Sequence, residues 1–324
     1  MVEAYARLAM HRWMLADVVR NEAYRDAIMA VVRKGDTVLD MGAGSGILSV
    51  FAAQAGATRV HAIERTSIVS VARGIVERNG MSDRIDVIQQ DLEDVELDGK
   101  VDVIISEWMG GYGVDENMLA PLVIARDRWL RTGGQIIPRR VTAMLAPMWI
   151  TELDSELAHW RSKPHGIDLD LVAELSVQEI VMTQWPVTTA DLLAPPQQMW
   201  SHDAHTCTLA EADSPFNAKL TFTAARSGGL SGMAAWFEAD LCDGVSLTNA
   251  VGAPATHWGR SFFPLSRTVE VREGSVIEVE LRCDPAGQGA TETYWSVCID
   301  GGRIERHDTR PLRVAGFEDP AQAE

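Results

Sequence analysis

The stretch VLDMGAGSG, residues 38–46, decides the fold of the first part of the chain, because it leads from an apolar strand into a helix through a glycine-rich turn. Asp40 lies in the strand, and glycines follow at the alternate positions Gly42, Gly44 and Gly46. Glycine allows a tight turn and the close approach of a ligand to the N-terminus of the next helix. The stretch therefore predicts a nucleotide-like ligand here, although such a turn also occurs without a ligand.

Glu64 ends the second predicted strand, where an acidic residue about 20 positions beyond such a turn often hydrogen-bonds a ribose. Two ligand classes fit, a dinucleotide and S-adenosylmethionine. The spacing GxGxG favours the second class, because no pyrophosphate then needs a cradle. Leu92 and Glu93 follow the third strand and could flank an adenine, although an acidic residue in a loop is more often only solvated.

Up to about residue 140, short apolar runs alternate with segments of helical length. This alternation is typical of a parallel sheet covered by helices on both faces. We predict a doubly wound, Rossmann-like α/β domain over residues 1–140. Its predicted strands are TVLDMG (37–42), RVHAIE (59–64), RIDVIQQD (84–91), VDVIISE (101–107) and GQIIP (134–138).

The helical pattern mostly disappears over residues 141–324, where alternating segments predict an antiparallel, β-barrel-like second domain. Residues 159–178 interrupt it as a helical excursion, and residues 315–324 form a loose tail. The segments predicted as strands are KLTFTAA (219–225), MAAWFEADL (233–241), TVEVREG (268–274) and VIEVELRC (276–283).

The overall charge narrows the class of partner. The chain has 324 residues and a formal net charge of −17, so that nucleic acid and acidic membranes would be repelled and a cationic substrate would be attracted. No apolar stretch is long enough to cross a bilayer, and we expect a soluble, cytoplasmic protein. The cysteines show neither zinc-site spacing nor a disulfide framework, so we expect no metal; they are Cys207, Cys242, Cys283 and Cys298.

Two glutamates, Glu107 and Glu116, lie at either end of a loop in SEWMGGYGVDENML, residues 106–119. Two carboxylates suit a planar guanidinium, which they bind through charge-assisted hydrogen bonds. Binding from two sides would draw positive charge towards the bound nitrogens and leave electron density on the third for attack on a methyl sulfonium. The alternative is that Glu107 forms a cap or surface pair and Glu116 opens a helix as an N-terminal acid.

Several segments together resemble the protein arginine methyltransferase family, in order and over nearly the whole chain. SEWMG with ENML resembles the double-glutamate loop of that family. The stretch from 38 to 64 resembles its S-adenosylmethionine motif. The other matching segments are YARLAMHRWMLADVVRNEAY (5–24), ARDRWLRTGGQIIP (125–138) and ATHWGRSFFPL (255–265).

The resemblance implies roles for individual residues. Glu107 and Glu116 would bind the guanidinium, while Arg20 would hold the cofactor carboxylate and position Glu107. His257 would pair with Asp17, join the two domains and relay the released proton. The remaining residues would contact the cofactor (His11, Asp40, Gly42, Gly44, Glu64, Leu92 and Glu93) or the substrate (Tyr5, Met14, Met118 and Trp258). Taken singly, His257 and Trp258 would be interpreted as core residues, Met14 and Met118 as side chains that fill gaps in a core, and Arg20 as part of a solvated helix face.

The chain also departs from the family pattern at the substrate side. Gly111 replaces a tyrosine and Asp115 replaces an aromatic residue, so a wider and more acidic pocket mouth is expected. Free L-arginine, whose α-amino group could meet Asp115, is therefore a candidate substrate beside an arginine residue of a protein. The resemblance places a dimerisation arm at residues 159–178 and implies a head-to-tail dimer.

We predict an S-adenosylmethionine-dependent arginine Nω-methyltransferase, which acts on free arginine or another small guanidine, as in natural-product pathways, or on a protein. Two alternatives remain. The first is a catalytically silent cofactor-binding partner of another methyltransferase, and the second is a nicotinamide dehydrogenase that uses the same glycine turn.

Overall fold

The first part of the chain forms a parallel sheet, in the strand order β3-β2-β1-β4-β5. The computed structural model describes residues 6–287 and 290–310. All of the predicted parallel strands are present, and the fifth begins earlier than expected. The strands are β1 (Thr37–Met41), β2 (Arg59–Ile63), β3 (Ile85–Ile88), β4 (Val101–Ser106) and β5 (Leu130–Ile137).

Helices lie between and before these strands, which confirms the doubly wound fold. The predicted N-terminal helix is two helices, because Asp17 leaves the helical conformation and caps the second helix by accepting a hydrogen bond from the Arg20 backbone N–H at 2.9 Å. The helices are α1 (Leu8–Ala16), α2 (Val18–Val31), α3 (Ile47–Ala55), α4 (Val69–Arg78) and α5 (Leu119–Trp129).

The second part of the chain forms two antiparallel sheets that give the predicted barrel-like unit. One has the order β7-β12-β10-β6-β8, with β11 paired to β10, and the other the order β15-β14-β13-β9. The strands are β6 (Arg140–Met148), β7 (Val181–Thr183), β8 (Gln197–Asp203), β9 (Phe216–Thr223), β10 (Gly228–Cys242), β11 (Val245–Thr248), β12 (Arg260–Val271), β13 (Val276–Gly287), β14 (Ala290–Ile299) and β15 (Glu305–Asp308).

A helical segment interrupts these strands between β6 and β7. Its helices are α6 (Thr151–Arg161) and α7 (Asp170–Ser176), so the excursion begins before the predicted residue 159. Leu153 and Leu157 of α6 pack with Trp236 and Phe262 in a separate core cluster. The segment is thus anchored on the six-stranded sheet. A further short helix, α8 (Leu209–Ala212), follows β8.

The two parts of the chain share one hydrophobic core, which contains Ile104 of β4 and Phe237 of β10. The loop after β4 lies between them, since Tyr112 packs edge-on against Phe263 of β12 with 5.4 Å between ring centroids. Parallel pairing ends at Ile137 and antiparallel pairing begins at Arg140. The division into domains 1–140 and 141–324 stays a prediction.

Two sequence predictions fall on residues outside the described ranges, namely Tyr5 and the tail at 315–324. Within the described residues, no helix combines the length and apolar character that a membrane crossing requires.

Candidate active site

A cavity of about 480 Å³ opens where β1, β2 and β4 end, at the edge of the parallel sheet where ligands of this architecture bind. It brings together most of the site residues predicted from the sequence. Those that line it are His11, Met14, Arg20, Gly42, Gly44, Glu64, Leu92, Glu93, Glu107, Glu116 and Met118. Among the described residues, five predicted site residues lie outside this lining: Asp17, Asp40, Asp115, His257 and Trp258.

The glycine turn forms one wall of the cavity. Gly42, Gly44 and Gly46 have φ values of 71°, 54° and 79°, a left-handed conformation that disfavours other residues. A Cβ atom at Gly44 would lie 2.9 Å from Cε1 of His11, so a side chain there would collide with helix α1. The turn therefore needs glycine both for its backbone and for the close approach of His11.

Glu64 lies beside this turn and is 7% exposed. Its Oε2 accepts a hydrogen bond from the Gly44 N–H at 3.0 Å, and its Oε1 accepts one from the Thr66 N–H at 2.7 Å. A carboxylate has about four acceptor positions, so two backbone bonds leave capacity for hydroxyl donors in the cavity. Glu64 therefore fixes the turn and lines the cavity with acceptor capacity to spare.

Asp40 is a predicted cofactor contact that lies outside the cavity lining. It is completely buried beneath the turn, and Oδ2 accepts a hydrogen bond from Oγ of Ser49 at 2.6 Å. Burial raises the pKa of Asp40 to about 6, against the opposing effect of the Ser49 hydrogen bond. The predicted contact of Asp40 with the cofactor stays a prediction; in the structure Asp40 links β1 to α3 and does not line the cavity.

Glu107 follows β4 directly and is held from helix α2. Oε2 of Glu107 accepts a hydrogen bond from Nη2 of Arg20 at 3.2 Å, and both side chains are at most 10% exposed. Nη1 of Arg20 donates to Oδ1 of Asn21 at 2.8 Å, which fixes the guanidinium. Oε1 of Glu107 is buried and has no hydrogen-bond partner within the part of the chain that the structure describes. One oxygen is therefore oriented by the protein while the other remains able to bind a donor.

Tyr24 also supports this arrangement, although no local sequence pattern distinguishes it. It lies one helical turn after Arg20, is fully buried, and donates its hydroxyl to the Ser106 carbonyl at 3.2 Å. Residues four positions apart in a helix, such as Arg20 and Tyr24, lie on the same face. Arg20 and Tyr24 thus hold the end of β4 and Glu107 against α2.

The loop from Glu107 to Glu116 is closed by Asp115. Oδ2 of Asp115 accepts from the Gly111 N–H at 2.8 Å, and Oδ1 accepts from the Tyr112 N–H at 3.0 Å. Burial raises the pKa of Asp115, and these backbone hydrogen bonds oppose the rise. Asp115 therefore stabilises the turn and lines a second cavity with Met182. Asp115 does not line the first cavity, and its predicted substrate role stays a prediction. The predicted start of the next helix is corrected, because the helix begins at Leu119 and not at Glu116.

Gly111 does not widen the mouth of the cavity, contrary to the sequence-based expectation. A Cβ atom at this position would collide with Oγ of Ser261 and lie 2.9 Å from Cε of Met182. The volume that a tyrosine would need is occupied by β12 and β7. Gly111 therefore fits into a space between the loop and the sheet that is already closed, and it opens no pocket for the α-amino group of an amino acid.

Asp17 and His257 are brought together from the two parts of the chain. Oδ2 of Asp17 accepts from the His257 backbone N–H at 2.7 Å and lies 2.8 Å from Nδ1 of its ring. Burial would raise the pKa of Asp17, but these hydrogen bonds and that from the Arg20 N–H lower it. The contact fixes the junction between α1 and α2.

Trp258 is buried and packs edge-on against Phe237 with 4.9 Å between ring centroids. It therefore belongs to the hydrophobic core and does not line the cavity.

Comparison with known proteins identifies the family. Residues 139–293 match the family model described as "Arginine methyltransferase oligomerization subdomain", and residues 26–112 match "Ribosomal protein L11 methyltransferase (PrmA)". Protein arginine N-methyltransferase 6 of Danio rerio is 34% identical over 315 residues, which cover 94% of this chain and 90% of that protein.

Two solved structures have the same fold. The structure titled "Trypanosoma brucei PRMT1 enzyme-prozyme heterotetrameric complex with AdoHcy" is 27% identical with a TM-score of 0.84, covering 95% of this chain and 100% of that one. Arabidopsis thaliana protein arginine methyltransferase 10 is 27% identical with a TM-score of 0.80, with the same coverage. Together with the site geometry, these similarities show that the chain belongs to the protein arginine N-methyltransferase family.

Proposed function

We propose that this protein methylates a guanidinium nitrogen of arginine residues in a protein or peptide. The family supplies the reaction class, an arginine N-methyl transfer from S-adenosylmethionine. The observation that carries the proposal is the arrangement of Glu107, whose Oε2 is held by Arg20 while Oε1 stays unbonded within the described residues, in the cavity that Glu116 also lines.

The cavity fits S-adenosylmethionine on its own features. The glycine turn lets a ligand approach the backbone at the N-terminus of α3, and Glu64 retains acceptor capacity for ribose hydroxyls. Arg20 is a cationic group in the cavity lining and would hold the cofactor carboxylate, and Leu92 with Glu93 lines the side on which an adenine would lie. Met14 and Met118 line the same cavity and would surround the methyl group. When bound, S-adenosylmethionine supplies an electrophilic methyl group on a sulfonium.

Glu107 and Glu116 would bind the guanidinium from two sides and orient its remaining nitrogen. Ion-paired hydrogen bonds to carboxylates are about twice as strong as neutral ones and fix a planar group in one orientation. Holding the nucleophilic nitrogen in line with the methyl carbon lowers the activation barrier, because the entropy cost of bringing the two atoms together is met on binding. The two carboxylates also draw positive charge towards the bound nitrogens, which leaves more electron density on the attacking one.

The methylated nitrogen must lose one proton. His257 is hydrogen-bonded to Asp17 and lies outside the cavity lining, so it positions helices α1 and α2. We assign the proton acceptor to Glu116, because its carboxylate lines the cavity and Arg20 is hydrogen-bonded to the other glutamate, Glu107. This assignment replaces the proton relay through His257 expected from the sequence.

Two observations favour a peptide arginine over free L-arginine. Gly111 leaves no open volume, and the carboxylate of Asp115 is bound by the N–H groups of its own loop. Gly111 and Asp115, the two residues that suggested an amino-acid pocket, thus both make contacts within the protein itself. The net charge of −17 suits an arginine-rich, cationic peptide.

We also propose that the chain forms a head-to-tail dimer through the arm, defined as residues 151–176. Ile167, Leu171 and Val172 of the arm are between 38% and 56% exposed, so apolar side chains of the arm are available to pack against a partner. The family model that covers the arm is described as an oligomerization subdomain. Light scattering on the wild type and on Leu171→Asp tests this, with a dimer expected for the first and a larger monomer fraction for the second.

The proposed function is tested by mass spectrometry of an arginine-rich peptide, free L-arginine and agmatine after incubation with enzyme and S-adenosylmethionine. The proposal expects methylation of the peptide. Methylation of free arginine alone would move the substrate to the small-molecule class. The absence of any turnover under conditions where the cofactor binds would favour a catalytically silent partner.

A further inference from the structure

Asn249, the residue after β11, has a side chain whose amide group is fully engaged in the interior. It is 1% exposed. Its Oδ1 accepts a hydrogen bond from the Phe237 N–H at 2.9 Å, and its Nδ2 donates to the carbonyl oxygens of Gly111 at 2.9 Å and Gly259 at 3.0 Å. One side chain thus joins three separate backbone segments.

The two carbonyls that accept from Nδ2 belong to the two loops that build the site. Gly111 lies within the loop from Glu107 to Glu116. Gly259 follows His257, whose ring and backbone hold Asp17 at the start of α2. Arg20 on that helix holds Glu107. Asn249 therefore closes a ring of polar contacts that begins and ends at the carboxylate loop.

The backbone around both contacts is tightly enclosed. A Cβ atom at Gly111 would collide with Oγ of Ser261, and one at Gly259 would collide with the Thr183 carbonyl oxygen. Gly259 also has a positive φ of 63°. Neither glycine can therefore move towards these neighbours. The hydrogen bonds from Asn249 to their carbonyl groups prevent movement away from them, so both loops are held in place.

We propose that Asn249 is a positioning residue for methyl transfer, which couples the Glu107–Glu116 loop to the His257 loop. This inference rests on the proposed function. Asn249 acts through backbone carbonyls and does not touch the cavity that binds the cofactor. Its loss should therefore alter the placement of the guanidinium and leave the glycine turn intact. A misplacement of about 1 Å in a reacting pair can lower the rate about 100-fold.

The test compares Asn249→Asp with Thr248→Val. Aspartate keeps the acceptor for the Phe237 N–H but places an oxygen where Nδ2 donates to two carbonyls. Thr248→Val removes neighbouring hydrogen bonds, to the Phe237 carbonyl at 2.6 Å and from the Ala250 N–H at 3.1 Å, without touching either loop. We expect Asn249→Asp to lower kcat on an arginine peptide by about 10-fold to 100-fold. Its KM and its Kd for S-adenosylhomocysteine should change by less than about threefold, a free-energy change well below that of one tenfold step.

Several results would overturn the inference. One is an unchanged kcat in a folded Asn249→Asp variant, and another is an equal loss of kcat in Thr248→Val at matched thermal stability. A parallel loss of cofactor affinity would also show a general structural role. If Asn249→Asp does not fold, Asn249→Ser decides, since its shorter hydroxyl cannot span both carbonyls and kcat should still fall with cofactor binding intact. Inactive wild-type enzyme would refute the proposed function, whereas active wild type with an unaffected variant refutes only the role of Asn249.

Discussion

The glycine turn after β1 and the loop from Glu107 to Glu116 line the same cavity but are stabilised in different ways. The turn is fixed by its own glycines and by Glu64 on the adjacent strand β2. The loop is fixed by Asp115 within it and by Asn249 from the second part of the chain. The turn, as the proposed cofactor wall, is thus nearly self-contained, whereas the loop, as the proposed substrate wall, depends on the packing of both parts.

This difference has a functional consequence. Cofactor binding should tolerate changes in the antiparallel sheets, because the contacts that shape the turn lie within the parallel unit. The geometry of the carboxylate pair should be sensitive to those same changes. Variants in the two walls should therefore separate cofactor affinity from kcat.

The largest effect is expected for Glu107→Gln. The amide loses the charge-assisted contact to the substrate guanidinium and leaves the buried Arg20 without its carboxylate, each worth about 1.5–3 kcal/mol. We expect kcat to fall by at least about 100-fold, while cofactor affinity changes only several-fold. Glu116→Gln, which leaves the Arg20–Glu107 contact intact, is the comparison variant and should also lower kcat. Near-normal turnover in either variant would refute the carboxylate clamp.

The next effect is a pH-dependent change in the free energy of unfolding that is due to Asp40, which is buried beneath the glycine turn. The folded state raises the pKa of Asp40 from 3.8 to about 6, so it binds a proton more tightly than the unfolded chain does. This contribution to stability is complete below pH about 4 and is lost as pH rises through about 6, with an upper limit of about 3 kcal/mol. Asp40→Asn should remove this loss, which denaturant titrations of both proteins at pH 4 and pH 8 would measure. A pH-independent difference between the two would contradict it.

A smaller effect is expected for Glu64→Ala in the cofactor wall. The variant loses the acceptor for ribose hydroxyls and the bond to the Gly44 N–H, so S-adenosylmethionine should bind about tenfold more weakly, or about 1.4 kcal/mol. Calorimetry on the folded variant measures this. Unchanged affinity would mean that the cofactor lies elsewhere. The comparison with Glu107→Gln then shows whether the two walls act separately.

The smallest effect is expected for Asp115→Asn. Asparagine keeps one acceptor for the Gly111–Tyr112 turn and replaces the other with a donor, so a loss of about 1 kcal/mol in the free energy of unfolding is expected. The KM for an arginine peptide should change little, because the side chain lies outside the cavity lining. A selective increase in KM for free arginine would instead restore Asp115 as a residue that recognises an α-amino group.

The two walls also differ in how far the sequence alone predicts them. Gly42, Gly44 and Glu64 follow a local rule, since a strand, a turn and an acid on the next strand stand at a characteristic spacing. The strands, the pairing of Asp17 with His257 and the place of both glutamates at the cavity also agree with the sequence-based interpretation.

The remaining features depend on contacts between distant residues. Nothing in the local sequence indicates that Ser261 fills the space beside Gly111 or that Asn249 reaches its carbonyl. The carboxylate of Asp115 could serve a ligand or its own turn, and only the fold shows that it binds the turn. Burial beneath the turn likewise separates Asp40 from the cavity, although it belongs to the same motif as Gly42.

The most direct test of the carboxylate pair is mass spectrometry of two peptides that differ only by arginine or lysine at one position. Each is incubated with the wild-type enzyme and S-adenosylmethionine, with Glu116→Gln as the inactive control. The structure predicts a mass gain of one or two methyl groups on the arginine peptide only, and almost none with the variant. Methylation of the lysine peptide to a similar extent, or full activity of Glu116→Gln, would contradict recognition of a guanidinium by Glu107 and Glu116.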